Sequence, residues 1–157
     1  MTKWLYNDTQ MVTLDRVADV ASALGGRPAL GVTVRSNLDM DRLIREGMPS
    51  RVLSVVRKKA GLTARALGDM LGIAPTTLQR RKRQRRLSPE ESERLYRLGR
   101  VLALGQQAFG SLDALSGWLT QANASLGGRS PSALLRSEAG ARTVEGVLGR
   151  MLFGGYD

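Results

Sequence analysis

The 157-residue sequence contains neither cysteine nor histidine. Disulfides are therefore impossible, and zinc sites of the Cys/His kind are excluded. Serine–histidine and cysteine–histidine nucleophile pairs are excluded with them. Carboxylates remain for catalysis, yet no close pair of acids sits on an apolar wall. The acids fall at helix starts and on solvated faces, which argues against an enzyme and gives no cofactor or metal a place to bind. Long apolar runs are missing too. Nowhere do about 18 apolar residues follow one another, and the opening MTKWLYNDTQ lacks the apolar centre of a signal peptide. The expectation is a cytoplasmic protein without membrane contact.

What is present is positive charge, and it is confined to one place. The formal balance is +10. Residues 1–48 hold six basic and six acidic side chains, and residues 106–157 hold four of each. Residues 49–105 hold fourteen basic and four acidic, so the entire excess lies there. A solubilising charge has no reason to gather in one third of a chain, whereas a nucleic-acid footprint does. At 42% hydrophobic residues and without a strongly low-complexity segment, the chain is long enough for one ordinary domain, or for two or three small units sharing a core.

The apolar pattern is mostly helical. In the first 48 residues Leu14, Val17, Ala18, Ala21 and Leu24 recur at helical spacing, Gly25-Gly26 ends that helix, and Pro28 forbids its continuation. Gly31-Val32-Thr33-Val34 reads as a short strand, and Leu38, Leu43 and Ile44 as a further helical turn before Gly47. No chemistry is visible here, so packing or self-association is the expectation. LGGR occurs at 24–27 and again at 126–129. The likeness does not extend further, which makes it helix-stop punctuation rather than a repeat.

From residue 50 onward, Val52, Leu53, Val56 and Ala60 form one face ended by Gly61, and Thr63 caps a helix carrying Leu67, Met70 and Leu71 inward. Pro75 suits the first position of the next helix. Ser88-Pro89-Glu90-Glu91 is a capping box that opens a long helix to about Phe109, spanning roughly 30 Å. Ser111 caps a helix with Leu112, Leu115 and Leu119, and Ser130-Pro131 opens another with Leu134 and Leu135. The last series is Val144, Val147, Leu148, Met151 and Leu152. No hairpin signal appears, and the fold class is all-α.

Gly68, Gly72 and Leu78 stand four and then six residues apart. Two helices crossing steeply need a small residue where they approach, a flexible one in the turn and an apolar anchor beyond it. The spacing is that of a helix-turn-helix over about 63–82, with Ile73 plugging the space between the helices. The second helix carries TTLQRRKRQRR at 76–86. Alone, RRKRQRR reads more readily as a solvated, generally anion-binding surface; the turn upstream reverses that weighting. Thr76 and Thr77 lie in the first turn, where hydroxyls and open N–H groups hold a phosphate. Gln79 and Arg80 come next on the outer face, suited to adenine and guanine. Arg81, Lys82, Arg83, Arg85 and Arg86 suit phosphate contact. One half-site gives little specificity, so a homodimer on a palindromic double-stranded operator is expected.

The C-terminal sequence carries an ordered series of motifs: Phe109-Gly110, Trp118-Leu119, Asn123, Leu126-Gly127-Gly128, Pro131, Leu134-Leu135, Gly140-Ala141, Val144 and Gly154-Gly155-Tyr156. It resembles the toxin-binding domain of the Xre/MbcA/ParS family of bacterial antitoxins. TTLQRRKRQRRLSPEESERLYRLGRV resembles the same family's DNA-binding part, so the resemblance covers about 50–157. It implies residues 1–48 as an N-terminal extension, 49–88 as a helix-turn-helix domain and 89–157 as a helical toxin-binding domain. It also implies a type II antitoxin that neutralises a cognate RES-domain toxin, one that consumes NAD or transfers ADP-ribose, and that represses its own promoter.

By that resemblance the C-terminal end enters the toxin's active-site cleft. Gly154-Gly155 give a flexible exit, Tyr156 and Asp157 enter the cleft, and Arg150 supports the plug. Trp118, Asn123, Leu126, Gly127 and Leu135 complete the toxin-binding set. Bland readings stand beside these. Amphipathic helices bury residues such as Trp118 and Leu135 first, Asn123 and Gly127-Gly128 shape a turn, and GGYD is a frayed end in most proteins. A helix-turn-helix regulator with no toxin partner, or a non-specific nucleoid protein, are the alternatives.

Overall fold

Serine and threonine caps start most of the helices. A computed structural model describes residues 17–154, and among these the fold is helical, with two isolated bridges and no strand. Leu14, in the first apolar series, lies outside the described residues. Helix α1 covers 17–23, followed by α2 (Gly26–Leu30), α3 (Asn37–Glu46), α4 (Arg51–Lys59), α5 (Ala64–Leu71) and α6 (Pro75–Gln84). Then come α7 (Pro89–Phe109), α8 (Leu112–Thr120), a 3-10 turn (Ala124–Leu126), α9 (Pro131–Leu134) and α10 (Glu138–Phe153). The hydroxyls of Thr63, Ser88, Ser111, Ser130 and Ser137 each accept a backbone N–H from the first turn of the helix they precede. Ser36 and Asp39 form a full capping box on α3, a signal that the sequence reading missed.

The first helix ends at residue 23, before Gly25-Gly26, as expected, and Pro28 falls at the third position of the separate short helix α2, where its missing N–H has no intrahelical partner to lose. Two expectations for the first 48 residues are corrected. The strand expected at 31–34 is irregular backbone, because no described segment offers it a partner edge. Leu38, expected on the inner face, is 77% exposed, and Met40 is buried in its stead.

The long helix α7 is the axis of the core. Leu95, Leu98, Val101 and Leu102 are buried along it, with α10 packed against its length and α3, α5 and α8 on its other sides. Gly99 lets α1 and the turn after it approach closely, since a Cβ there would stand 3.1 Å from Val20 Cγ1 and 2.9 Å from Leu24 Cγ. Near its start the buried Ser92 hydroxyl accepts the Met48 N–H at 2.8 Å. The segment holding α4, α5 and α6 is closed at its base by backbone hydrogen bonds, Leu87 N–H to Met48 O at 2.9 Å and Ser50 N–H to Arg85 O at 3.0 Å.

Candidate nucleic-acid interface and C-terminal surface

The turn between α5 and α6 is built as the glycine spacing predicts. Gly72 adopts a left-handed conformation (φ 64°) that ends α5, and the Ile73 N–H donates to Gly68 O at 2.9 Å. A Cβ on Gly68 would meet Ile73 O at 3.0 Å and Leu78 Cδ1 at 3.2 Å, so the two helices approach where only hydrogen fits without adjustment. Leu78 is half-buried, and no residue of α6 is fully buried.

At 100° per residue, α6 divides into three faces. Thr76, Arg80 and Arg83 form one exposed stripe. Pro75, Leu78, Gln79 and Lys82 face a groove of about 480 Å³ between α4, α5 and α6, floored by Leu53, Leu67 and Ile73 and rimmed by Arg57 and Arg65. Gln79 thus borders the groove beside the outer stripe on which it was expected. The third face carries Arg81, whose Nε donates to both Glu91 carboxylate oxygens at 2.7 and 3.1 Å, while its Nη1 donates to Gln84 at 2.6 Å. Burial pulls the Glu91 carboxyl upward, but hydrogen bonds from Arg81 and from the Ser88 N–H outweigh it and hold the group below its ordinary range.

The basic residues of 49–105 therefore fall into two classes. The side chains of Arg51, Lys59, Arg86 and Arg94 donate to backbone carbonyls, and those of Arg81, Arg97 and Arg100 to carboxylates. Arg57, Lys58, Arg65, Arg80, Lys82, Arg83 and Arg85 have no such side-chain partner among the described residues, and all seven sit on α4, α5, α6 or the cap of α6. Arg86, expected to contact phosphate, is exposed and donates to Gly47 O at 2.9 Å, helping close the base of this unit. Arg85 ends α6 with φ 63°; its backbone does the capping and its side chain is exposed. Thr76 is exposed and Thr77 half-buried. Arg57 and Arg65 were not singled out from the sequence, although the regional charge count included them.

Arginines of α7 also tie it to α10. Arg97 Nε donates to Glu138 at 3.1 Å, while Arg100 donates to Glu138 at 2.7 Å and to Glu145 at 3.0 Å. Burial raises the Glu138 carboxyl, and the hydrogen bond from Arg100, then that from Arg97, reverses the sign and lowers it. Beyond this clamp the expected toxin-facing residues scatter. Trp118 is half-buried with its ring 5.5 Å from that of Phe109. Asn123 organises a loop: its side chain accepts the Ser125 N–H at 2.8 Å, and its carbonyl accepts from Leu126 and Gly128. Gly127 is exposed with φ 65°, whereas Leu126 and Leu135 are buried in the core.

Arg150 is exposed in the last turn of α10, and Gly154 caps that helix in a left-handed conformation. Gly155, Tyr156 and Asp157 lie outside the described residues. Two residues absent from the expected set stand out at this end, Met151 at 49% and Phe153 at 71% exposed. Phe153 falls off the 144–147–148–151 series, which was the available signal.

Among the described residues no three acidic side chains converge to hold a metal ion, and no helix is long and apolar enough to cross a membrane. In comparisons with known proteins, residues 39–100 match the antitoxin Xre-like helix-turn-helix domain. Residues 104–154 match the antitoxin Xre/MbcA/ParS C-terminal toxin-binding domain. The chain is also similar to the antitoxin Xre of Yersinia enterocolitica serotype O:8 / biotype 1B. The two are 32% identical over 113 residues, which cover 71% of this chain and 76% of that protein.

Proposed function

The chain belongs to the Xre family of antitoxins, with that family's helix-turn-helix and toxin-binding domains, and on this premise we propose how it acts. It neutralises a cognate toxin of the RES type, which consumes NAD or transfers ADP-ribose, by placing its C-terminal end in the toxin's active site. It also represses its own operon by binding the promoter as a homodimer. Residues 1–48 serve self-association, 49–88 read DNA and 89–157 hold the toxin.

The observation that carries the DNA half is the sorting of cations. Every arginine of α7 is spent on a protein acceptor, while seven basic side chains without one among the described residues gather on α4, α5, α6 and the cap of α6. Neutralising phosphates is what such a group does best. Within it, Thr76, Arg80 and Arg83 face the major groove, and Gln79, Lys82, Arg85, Arg57 and Arg65 take the flanking backbone. At the other end Trp118, Arg150, Met151, Phe153 and the segment Gly154-Gly155-Tyr156-Asp157 touch the toxin. Asn123, Leu126, Gly127 and Leu135 shape the support beneath.

Two experiments test this. Co-expression with the toxin of the same operon should protect cells and preserve NAD, and deletion of 154–157 should remove protection while promoter binding persists. A truncated chain that protects as well as the full one ends the plug reading, and a toxin that when expressed alone neither lowers NAD nor ADP-ribosylates a cellular target ends the RES reading. Separately, Arg80→Ala should lose base preference at one operator position. A uniform loss on all duplexes would instead mark a non-specific binder.

A further inference from the structure

We propose that the acidic residue Glu91 is the positioning residue of the DNA-reading helix, acting through Arg81. The inference rests on α6 being that helix. With no fully buried residue and a single half-buried apolar anchor, Leu78, α6 has little packing to fix its rotation. Its ends are tied by backbone, through the turn at Gly72 and through the Ser50–Arg85 hydrogen bond. Between them the groove toward α4 lies open on one side. On the third face is the Arg81–Glu91 clasp, with side chains only 20% and 9% exposed.

The same carboxylate accepts the Ser88 N–H at 2.8 Å, completing the capping box of α7. One side chain thereby fixes the start of the fold's axis and the middle of the reading helix. Arg81 lies about 100° around α6 from Arg80, away from the exposed stripe. Its contribution to binding is therefore to hold Thr76, Arg80 and Arg83 in place rather than to meet a phosphate. Base contacts depend on placement within about 0.5 Å, which a helix free to roll does not keep.

Charge alone makes the opposite forecast. Removing an acid beside a basic helix relieves repulsion and should tighten DNA binding. The clasp requires that it weaken.

The test is a fluorescence-anisotropy titration of the full-length protein against its promoter fragment and an unrelated duplex, at several salt concentrations. Glu91→Gln retains a residue that serves in the capping box while removing the charge. It should lower promoter affinity about tenfold and leave the unrelated duplex nearly unchanged. The slope of log affinity against log salt should not move. Arg81→Met should do the same, and the double variant should be no weaker than either single one. Should Glu91→Gln fail to fold by circular dichroism, Arg81→Met carries the test, because it leaves the cap intact.

Equal or tighter promoter binding by Glu91→Gln overturns the proposal. So does a slope for Arg81→Met reduced by about 0.9, the value of one lost phosphate contact. If the unaltered protein itself shows no preference for its promoter, DNA reading fails first and the positioning role falls with it. Success of that control with failure of the variants condemns the positioning role alone.

Discussion

Replacing Phe153 with alanine separates binding from folding at the C-terminal end. The side chain is 71% exposed, so of roughly 200 Å² of phenylalanine surface about 140 Å² is open and about 60 Å² is covered. At about 25 cal/mol per Å² the covered part is worth about 1.5 kcal/mol. Alanine retains some of it and favours the helix, leaving a stability cost of about 1 kcal/mol at most. That corresponds to a melting shift of roughly 2–4 °C.

The open part sets the other limit. Its complete burial against a toxin yields about 3.5 kcal/mol at most, and aromatic anchors in protein interfaces cost about 2–4 kcal/mol when truncated. A loss of about 2–3 kcal/mol is therefore expected, or roughly 30- to 150-fold in dissociation constant. Calorimetric titration of the purified cognate toxin measures it, with a thermal melt and a promoter titration as controls. Toxin affinity within threefold of the unaltered protein would remove Phe153 from the interface. A melting shift above about 8 °C would show that the side chain is structural after all.

Arg100→Met strands Glu145, which is 10% exposed and has no other ion-pair partner among the described residues, whereas Glu138 keeps Arg97 and Arg142. The expected cost is about 2–3 kcal/mol, with Arg100→Met/Glu145→Met recovering most of it in thermal melts; a single variant as stable as the parent refutes the clamp. For acid stability, Glu91 and Glu138 both titrate below their ordinary range in the fold. Their contribution is present above the unfolded value of about 4.3 and is lost as pH falls through the lower folded values. The melting temperature should hold between about pH 7 and 5, then fall. The Glu91→Gln/Glu138→Gln variant should fall less steeply over the same acid range, and an equal fall assigns the acid limb to other groups. Gly68→Val should disturb the α5–α6 crossing and lose promoter binding before toxin binding, since its Cβ meets Ile73 O and Leu78. Equal loss of both activities by titration would count against a local effect.

The parts of this fold legible in the sequence were those written locally. A serine or threonine followed three residues later by its own N–H partner marks a helix start, and Thr63, Ser88, Ser111 and Ser130 did so. Gly72 marked the turn for the same reason, because a positive φ is a property of one residue. What stayed hidden was pairing at a distance. Arg81 and Glu91 are ten positions apart, Arg97 and Glu138 forty-one, and Arg100 and Glu145 forty-five. A regional charge count finds where cations gather, but it does not tell which of them the protein consumes. The 31–34 segment failed for a related reason: a run of β-branched residues resembles a strand, yet a strand exists only against a partner.

The division of cations also says how the two domains are joined. The two matched domains meet between residues 100 and 104, inside α7, so no linker separates them. At its first turn α7 holds α6 through Glu91, and nine residues later Arg100 grips α10, whose far end carries Phe153. A continuous helix bends at that junction only by giving up backbone hydrogen bonds, and the Leu98–Leu102 core on either side opposes it. The placement of α6 relative to the far end of α10 is therefore fixed by the fold. On the proposed function, a toxin bound at that far end would meet the duplex in a single orientation, set by one helix and the ion pairs along it.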